Sequence, residues 1–175
     1  MKREIRESIP YEDFSRLYKV FEEPPYNEKW TNEEVKSEYN HLLEKGHVCG
    51  YYDNDYCIGV VTFRPHIPNE HPIHYEDHLK VVYVSDLIVL STYRGRGIGS
   101  SLMRYALETA KHEGFDFAYM RTLEKGLSMS YGLAVRIGFV PLNGVFQNVS
   151  QERTTYERSK IDKRIFLEVN LHNWP

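Results

Sequence analysis

A chain of 175 residues, 41% hydrophobic and 27% charged, has the length and composition of one globular domain, residues 1–175. Its 22 basic against 25 acidic residues give a net charge of −3, which argues against broad nucleic-acid binding. No apolar stretch approaches the roughly 20 residues that span a bilayer, and the charged start MKREIRESIP is no secretion signal, so a cytoplasmic protein is expected.

KREIRES reads as a first strand. Tyr11, Phe14, Leu17, Tyr18 and Phe21 then recur at helical spacing, and Pro10, Glu12 and Asp13 suit a first turn. EEPPYNEKW cannot continue that helix, because Pro24 and Pro25 remove backbone donors. Thr31-Asn32-Glu33-Glu34 has the spacing of a capping box. It opens a second helix, with Val35, Tyr39, Leu42 and Leu43 as the apolar stripe and Gly46 as the stop. HVCGYY and YCIGVVTF follow as paired strands with a turn near Asp53-Asn54. A two-residue loop there sets Cys49 opposite Ile58. The thiols of Cys49 and Cys57 then point to opposite faces, and both are expected to be reduced.

HIPNEHPIHYEDHLK carries His66, His71, His74 and His78 among Glu70, Glu76 and Asp77. These are metal-ligand types, but their spacing matches no closed site, and Pro65, Pro68 and Pro72 make the segment irregular. A solvated or substrate-contacting loop without a metal is expected. VVYVSDLIVL is almost wholly apolar, as a central strand buried on both faces would be. Ile98, Leu102, Met103, Ala106 and Ala110 mark a third helix up to Gly114, and FDFAYMRTL a further strand. LSMSYGLAVRI is a helix interrupted by Gly132 and stopped by Gly138. GFVPLNGVFQNV and RIFLEVNL are the last strands, on either side of the polar SQERTTYERSKIDK. This alternation makes a mixed α/β domain.

STYRGRGIGS, residues 91–100, joins the apolar strand to the third helix. Open N–H groups at a helix start converge on anions, and glycines let a backbone approach without a Cβ. The stretch is therefore a phosphate-binding candidate. A P-loop would need GxxxxGK[ST], which is missing. As a dinucleotide fingerprint the stretch puts Ser100 in the third glycine's place, and three strands precede it without crossover helices. What remains is Arg-x-x-Gly-x-Gly, carried by Arg94, Gly97 and Gly99.

With the strand DLIVLSTYRGRGIG, the helix SLMRYALETAKHEG and the junction RIGFV in this element order, the chain resembles the GNAT N-acetyltransferases over nearly its whole length. The resemblance implies an α/β fold with a mixed central sheet flanked by helices, its fourth and fifth strands splayed. It implies transfer of acetyl from acetyl-CoA to an amine by direct attack in a ternary complex. It places the CoA pyrophosphate on Arg94, Gly95, Arg96, Gly97, Ile98, Gly99, Ser100 and Ser101, and pairs the backbone of Ile88 and Val89 with the pantetheine arm. The expected partner is a small-molecule or peptide amine, with room for a homodimer, and neither nucleic acid nor membrane is expected.

Asp86 is the one charge in VVYVSDLIVL, and a carboxylate in an apolar strand is costly unless paired or used. It is a candidate general base, and equally an acceptor for the N–H groups of the bulge that the resemblance implies in this strand. The family commonly places a tyrosine four residues before the Gly-Phe of the last helix-to-strand junction; here that residue is Ala134, and the asparagine seven residues earlier is Leu127. Tyr131, one turn before Ala134, is a candidate acid, and it also fits the stripe Leu127-Tyr131-Ala134 as a core residue. The missing tyrosine leaves a non-catalytic acyl-CoA-binding module as the alternative. The resemblance sets the acceptor against the first two helices. There Glu22, Glu23 and Glu28 attract a cation and Tyr26 packs against it, while Trp30 reads as a hydrophobic staple before Thr31. Cys49 and Cys57 lie in the hairpin, away from the glycine turn, so no acetyl-enzyme is expected.

Overall fold

The apolar periodicities become four α-helices and seven strands in a computed structural model that describes residues 2–24, 26, 28–150 and 161–175. Strand β1 (Arg3–Glu7) leads into helices α1 (Tyr11–Tyr18) and α2 (Asn32–Lys45), then strands β2 (His47–Asp53), β3 (Tyr56–Pro65) and β4 (Val81–Val89). Helix α3 (Ile98–His112), strand β5 (Phe117–Leu123), helix α4 (Met129–Ile137) and strands β6 (Val140–Ser150) and β7 (Ile161–Asn170) complete the chain. The expected element order is met throughout. Of the polar stretch between the last two strands, residues 151–160 lie outside the described residues.

One mixed sheet runs β1-β2-β3-β4-β5-β7-β6. All neighbours are antiparallel except β4 and β5, which are parallel. That parallel pair is short: Val81–Val84 face Phe117–Met120, and beyond them the two strands part. The cause lies on β4's other edge. Thr62 pairs with Asp86 while Phe63 pairs with Val84, so Ser85 is an extra, bulged residue that turns β4 away from β5. Strand β5 keeps its ladder with β7 as far as Leu123 and Arg164.

Helices α3 and α4 cover one face, where Leu102, Met103, Ala106 and Leu107 pack on Val61, Val84 and Met120. On the other face α1 and α2 pack Phe14, Leu17, Val35 and Leu42 against Val48 and Val60. Beside them the segment between β3 and β4 closes over Tyr83, Tyr119 and Phe166. The hairpin differs from expectation in one detail. Its loop is Asn54-Asp55 and a bulge follows Tyr51, so Cys49 faces Val61 rather than Ile58. The thiols still lie on opposite faces, buried and free.

The capping box forms as read, with the Glu34 N–H donating to Thr31 Oγ1 at 3.2 Å and the Thr31 N–H to Glu34 Oε2 at 2.8 Å. At its other end α2 passes so close to β3 that only a hydrogen fits on Gly46. A Cβ there would press into the Phe63 carbonyl oxygen and lie 2.6 Å from Arg64 Cβ. Gly46→Ala is expected to cost about 1–3 kcal/mol, read as a lower urea midpoint with an unchanged slope.

Candidate active site

Where β4 and β5 part, two cavities open and meet. The first, about 320 Å³, lies between the glycine turn, β4 and the start of α4. Gly95 and Gly97 adopt φ of +75° and +80°, which non-glycine residues rarely take, and a Cβ at either would meet nothing within 4 Å. Gly97 caps α3, and Ser101 is the first residue whose N–H closes back onto it, at 3.0 Å. The N–H groups of Ile98, Gly99 and Ser100 thus have no partner within the helix. All three residues line the cavity, with Arg94 and Arg136 bringing positive charge. An anion fits this cradle.

Backbone direction alternates along a strand, and the Leu90 N–H bonds the Ile58 carbonyl at 3.0 Å. Ile88 therefore turns its amide and carbonyl toward β3, while Leu87 and Val89 turn theirs into the gap. Of the expected edge pair, Val89 opens its backbone groups to the gap and Ile88 does not, Leu87 being the other residue that does; all three line the cavity. The Val89 carbonyl accepts from Arg94 Nε at 3.0 Å, and Arg94 also pairs with Glu23 at 3.5 Å. Two further residues of the turn are used within the protein. Arg96 donates to the Thr92 carbonyl at 3.2 Å, Ser101 Oγ donates to the Gly97 carbonyl at 3.2 Å, and neither lines the cavity.

The second cavity, about 430 Å³, lies between α1, α2, the segment after β3 and the strands β4, β5 and β7. Asp86 lines it. Its Oδ2 accepts from Thr62 Oγ1 at 3.0 Å and from the Tyr18 hydroxyl at 3.3 Å. The bulge amide, the N–H of Asp86 itself, goes instead to Thr62 Oγ1 at 3.0 Å. The carboxylate is thus not spent on the bulge. Burial, with the Glu38 charge adding to it, pushes Asp86 up to about 7 against the pull of the Thr62 and Tyr18 bonds. Burial and the Asp86 charge hold the Tyr18 hydroxyl well above its usual range, so it stays a donor.

Phe21, Tyr26, Leu87 and Ser130 border both cavities. Of the acidic residues between α1 and α2, Glu28 lines the second cavity, whereas Glu22 and Glu23 line neither. Trp30 does more than staple the helix: it lines the cavity and donates Nε1 to Glu28 Oε2 at 3.1 Å. Tyr131 packs against the core beneath α4 and lines neither cavity, and Ala134 is fully buried there. The histidine segment divides. His74 and His78 are exposed, whereas His66 and His71 both meet the Tyr119 hydroxyl, at 3.0 and 2.9 Å, and buried His71 lines the cavity. Among the described residues no three His, Cys, Asp or Glu side chains converge as a metal site.

Sequence reasoning missed Leu87, Ser130 and Arg136, and the strand residues Arg64, Arg121 and Arg164, which enter the second cavity. The alternation of β5 and β7 was the only available signal for the last two. No helix among the described residues is long and apolar enough to cross a membrane.

Residues 11–139 match the model of the acetyltransferase (GNAT) family. No curated protein sequence matches the chain. Among solved structures, the fold is similar to an N-acetyltransferase from Staphylococcus aureus Mu50 (TM-score 0.72, 16% identity, 98% of this chain and 99% of that one). It is also similar to Arabidopsis thaliana NAA60 in complex with acetyl-CoA (TM-score 0.73, 16% identity, 98% and 100%). A third likeness is to a ribosomal-protein-alanine N-acetyltransferase from Brucella melitensis (TM-score 0.67, 18% identity, 95% and 98%).

Proposed function

The chain belongs to the acetyltransferase (GNAT) family, and we propose that it passes the acetyl group of acetyl-CoA to a primary amine by direct attack within a ternary complex. The observation that supports this most is the meeting of two cavities beside Leu87. One suits an anionic, amide-bearing donor, and the other carries a carboxylate held near neutrality.

Acetyl-CoA supplies the activated acyl group. The N–H groups of Ile98, Gly99 and Ser100, with the side chains of Arg94 and Arg136, hold its pyrophosphate. Leu87 and Val89 offer their backbone groups to the pantetheine amides as an added strand would. Arg94 then yields its hold on the Val89 carbonyl or shares it. Asp86, next to Leu87 in the chain, takes the proton that the amine must lose, directly or across one water.

The departing sulfur needs a proton as well. Tyr131 borders neither cavity, whereas Tyr26 and Ser130 border both. A phenol gives up its proton far more readily than an aliphatic alcohol, which serves only as a hydrogen-bond donor. Tyr26 is therefore the acid and Ser130 the supporting donor. Tyr26→Phe is expected to lower kcat about 10²-fold while leaving acetyl-CoA affinity unchanged. A Phe variant with the wild-type kcat excludes Tyr26.

A library of primary amines, scored by thiol release and by the mass of the acetylated product, tests the whole reading. Release matched to product supports it. Acetyl-CoA binding with no release from any amine would leave a donor-binding module instead.

A further inference from the structure

We propose that the acceptor is a small amino acid, its primary amine facing Asp86 and its carboxylate docked on Arg121. The inference rests on the acetyl-transfer reading and names its second substrate.

Three guanidiniums enter the second cavity, from β3, β5 and β7. Two already have carboxylates. Arg64 is bound to Glu70, and Arg164 lies 3.3 Å from Glu28. Arg121 is different. Its Nη1 donates to Gln147 Oε1 at 2.9 Å, a neutral amide, and among the described residues it forms no salt bridge; the Glu70 carboxylate feels its charge but is bound to Arg64. Its direction is set by the sheet. Arg121 follows Met120, the last residue of β5 paired with β4, so it is the first to stand in the gap. It shares a face with Tyr119, whose ring stacks on Tyr83, so it points to the side of α1 and α2. The neighbouring His71 adds no charge of its own, because burial and the Arg121 charge hold it down to about 4.

The opposite wall has the reverse sign. Asp86 and Glu38 line it, and among the described residues neither has a cationic partner. The cavity is thus bipolar, with unmatched carboxylates toward α2 and β4 and one unmatched guanidinium toward β5. An ammonium and a carboxylate on one small molecule answer both poles. A diamine would bring a cation to Arg121, and a peptide N-terminus carries no anion beside its amine. The volume of about 430 Å³ leaves room for such a molecule between the two poles.

The test pairs α-amino acids with the amines left by their decarboxylation, each offered to the wild-type protein with acetyl-CoA and scored by thiol release. The best amino acid is expected to exceed its own decarboxylated partner at least tenfold in kcat/KM, as a charged hydrogen-bond pair on Arg121 requires. In Arg121→Gln that ratio falls below about threefold through a raised KM for the amino acid, with acetyl-CoA binding by calorimetry reporting an intact donor site. Decarboxylated amines or peptide N-termini outperforming amino acids in the wild type would overturn the proposal while sparing acetyl transfer. So would a ratio that persists in Arg121→Gln. If no amine of any kind releases thiol, the acetyl-transfer reading falls as well.

Discussion

Asp86→Asn is expected to lower turnover by about 10²–10⁴-fold while making the protein harder to melt at pH 8. Both effects follow from one property. The carboxylate is held up to about 7, chiefly by burial, whereas an unfolded aspartate ionises near 3.9. A base works only when ionised, so wild-type kcat/KM rises through about pH 7 and levels off above it. The asparagine variant lacks that limb. Stability runs the other way. Between roughly pH 4 and 7 the unfolded chain releases a proton that the folded protein keeps, so folding loses stability as pH rises across that window. Above about 7 the full cost of the buried charge is present, and the neutral amide removes it. Kinetic profiles and thermal melts of both proteins at pH 5 and pH 8 check the pair of signs. A variant that keeps both the turnover and the acid limb would remove Asp86 from the chemistry.

Gly99→Val is expected to leave folding intact and weaken acetyl-CoA binding at least tenfold. Gly99 sits in the first turn of α3 without a positive φ, and a Cβ there makes only ordinary contacts, 3.5 Å to Leu133 Cδ1 and 3.8 Å to Val89 Cγ2. The helix itself gains from the change, since glycine is the poorer helix former by several tenths of a kcal/mol. The side chain nevertheless enters the cavity that Gly99 lines, where the donor's backbone-hugging path needs the room. Gly97 is the contrasting case. Its left-handed conformation costs any larger residue about 1–2 kcal/mol, so substitutions there confound folding with binding. Calorimetric titration with acetyl-CoA and a melting curve separate the two at Gly99. Wild-type affinity in the valine variant would refute the placement of the donor.

The features legible in the sequence are those fixed by neighbours in the chain. The capping box at Thr31, the glycine turn and the lone carboxylate of VVYVSDLIVL each rest on a few consecutive residues, and each forms in place. The choice between Leu87 and Ile88 as the open edge was not legible, because it depends on the register with β3 and on which side of the Ser85 bulge a residue falls. Arg121 and Arg164 were not legible either. Their meeting requires β7 to insert between β5 and β6, a pairing that local pattern does not encode. The histidine segment misleads for the opposite reason. Prolines and charges make it read as solvated, yet His71 is drawn inward by the Tyr119 hydroxyl, and Tyr75 is tied to Glu168 of β7 at 2.6 Å.

Four paired residues on each strand are all that join β4 to β5. Antiparallel ladders on either side are much longer, so two broad panels of the sheet are joined along one short seam. A donor lying along Leu87 and Val89 lengthens that seam where it is thinnest. Its binding energy then bears on how firmly one panel holds the other, and the cosubstrate becomes a structural member of the protein for as long as it stays.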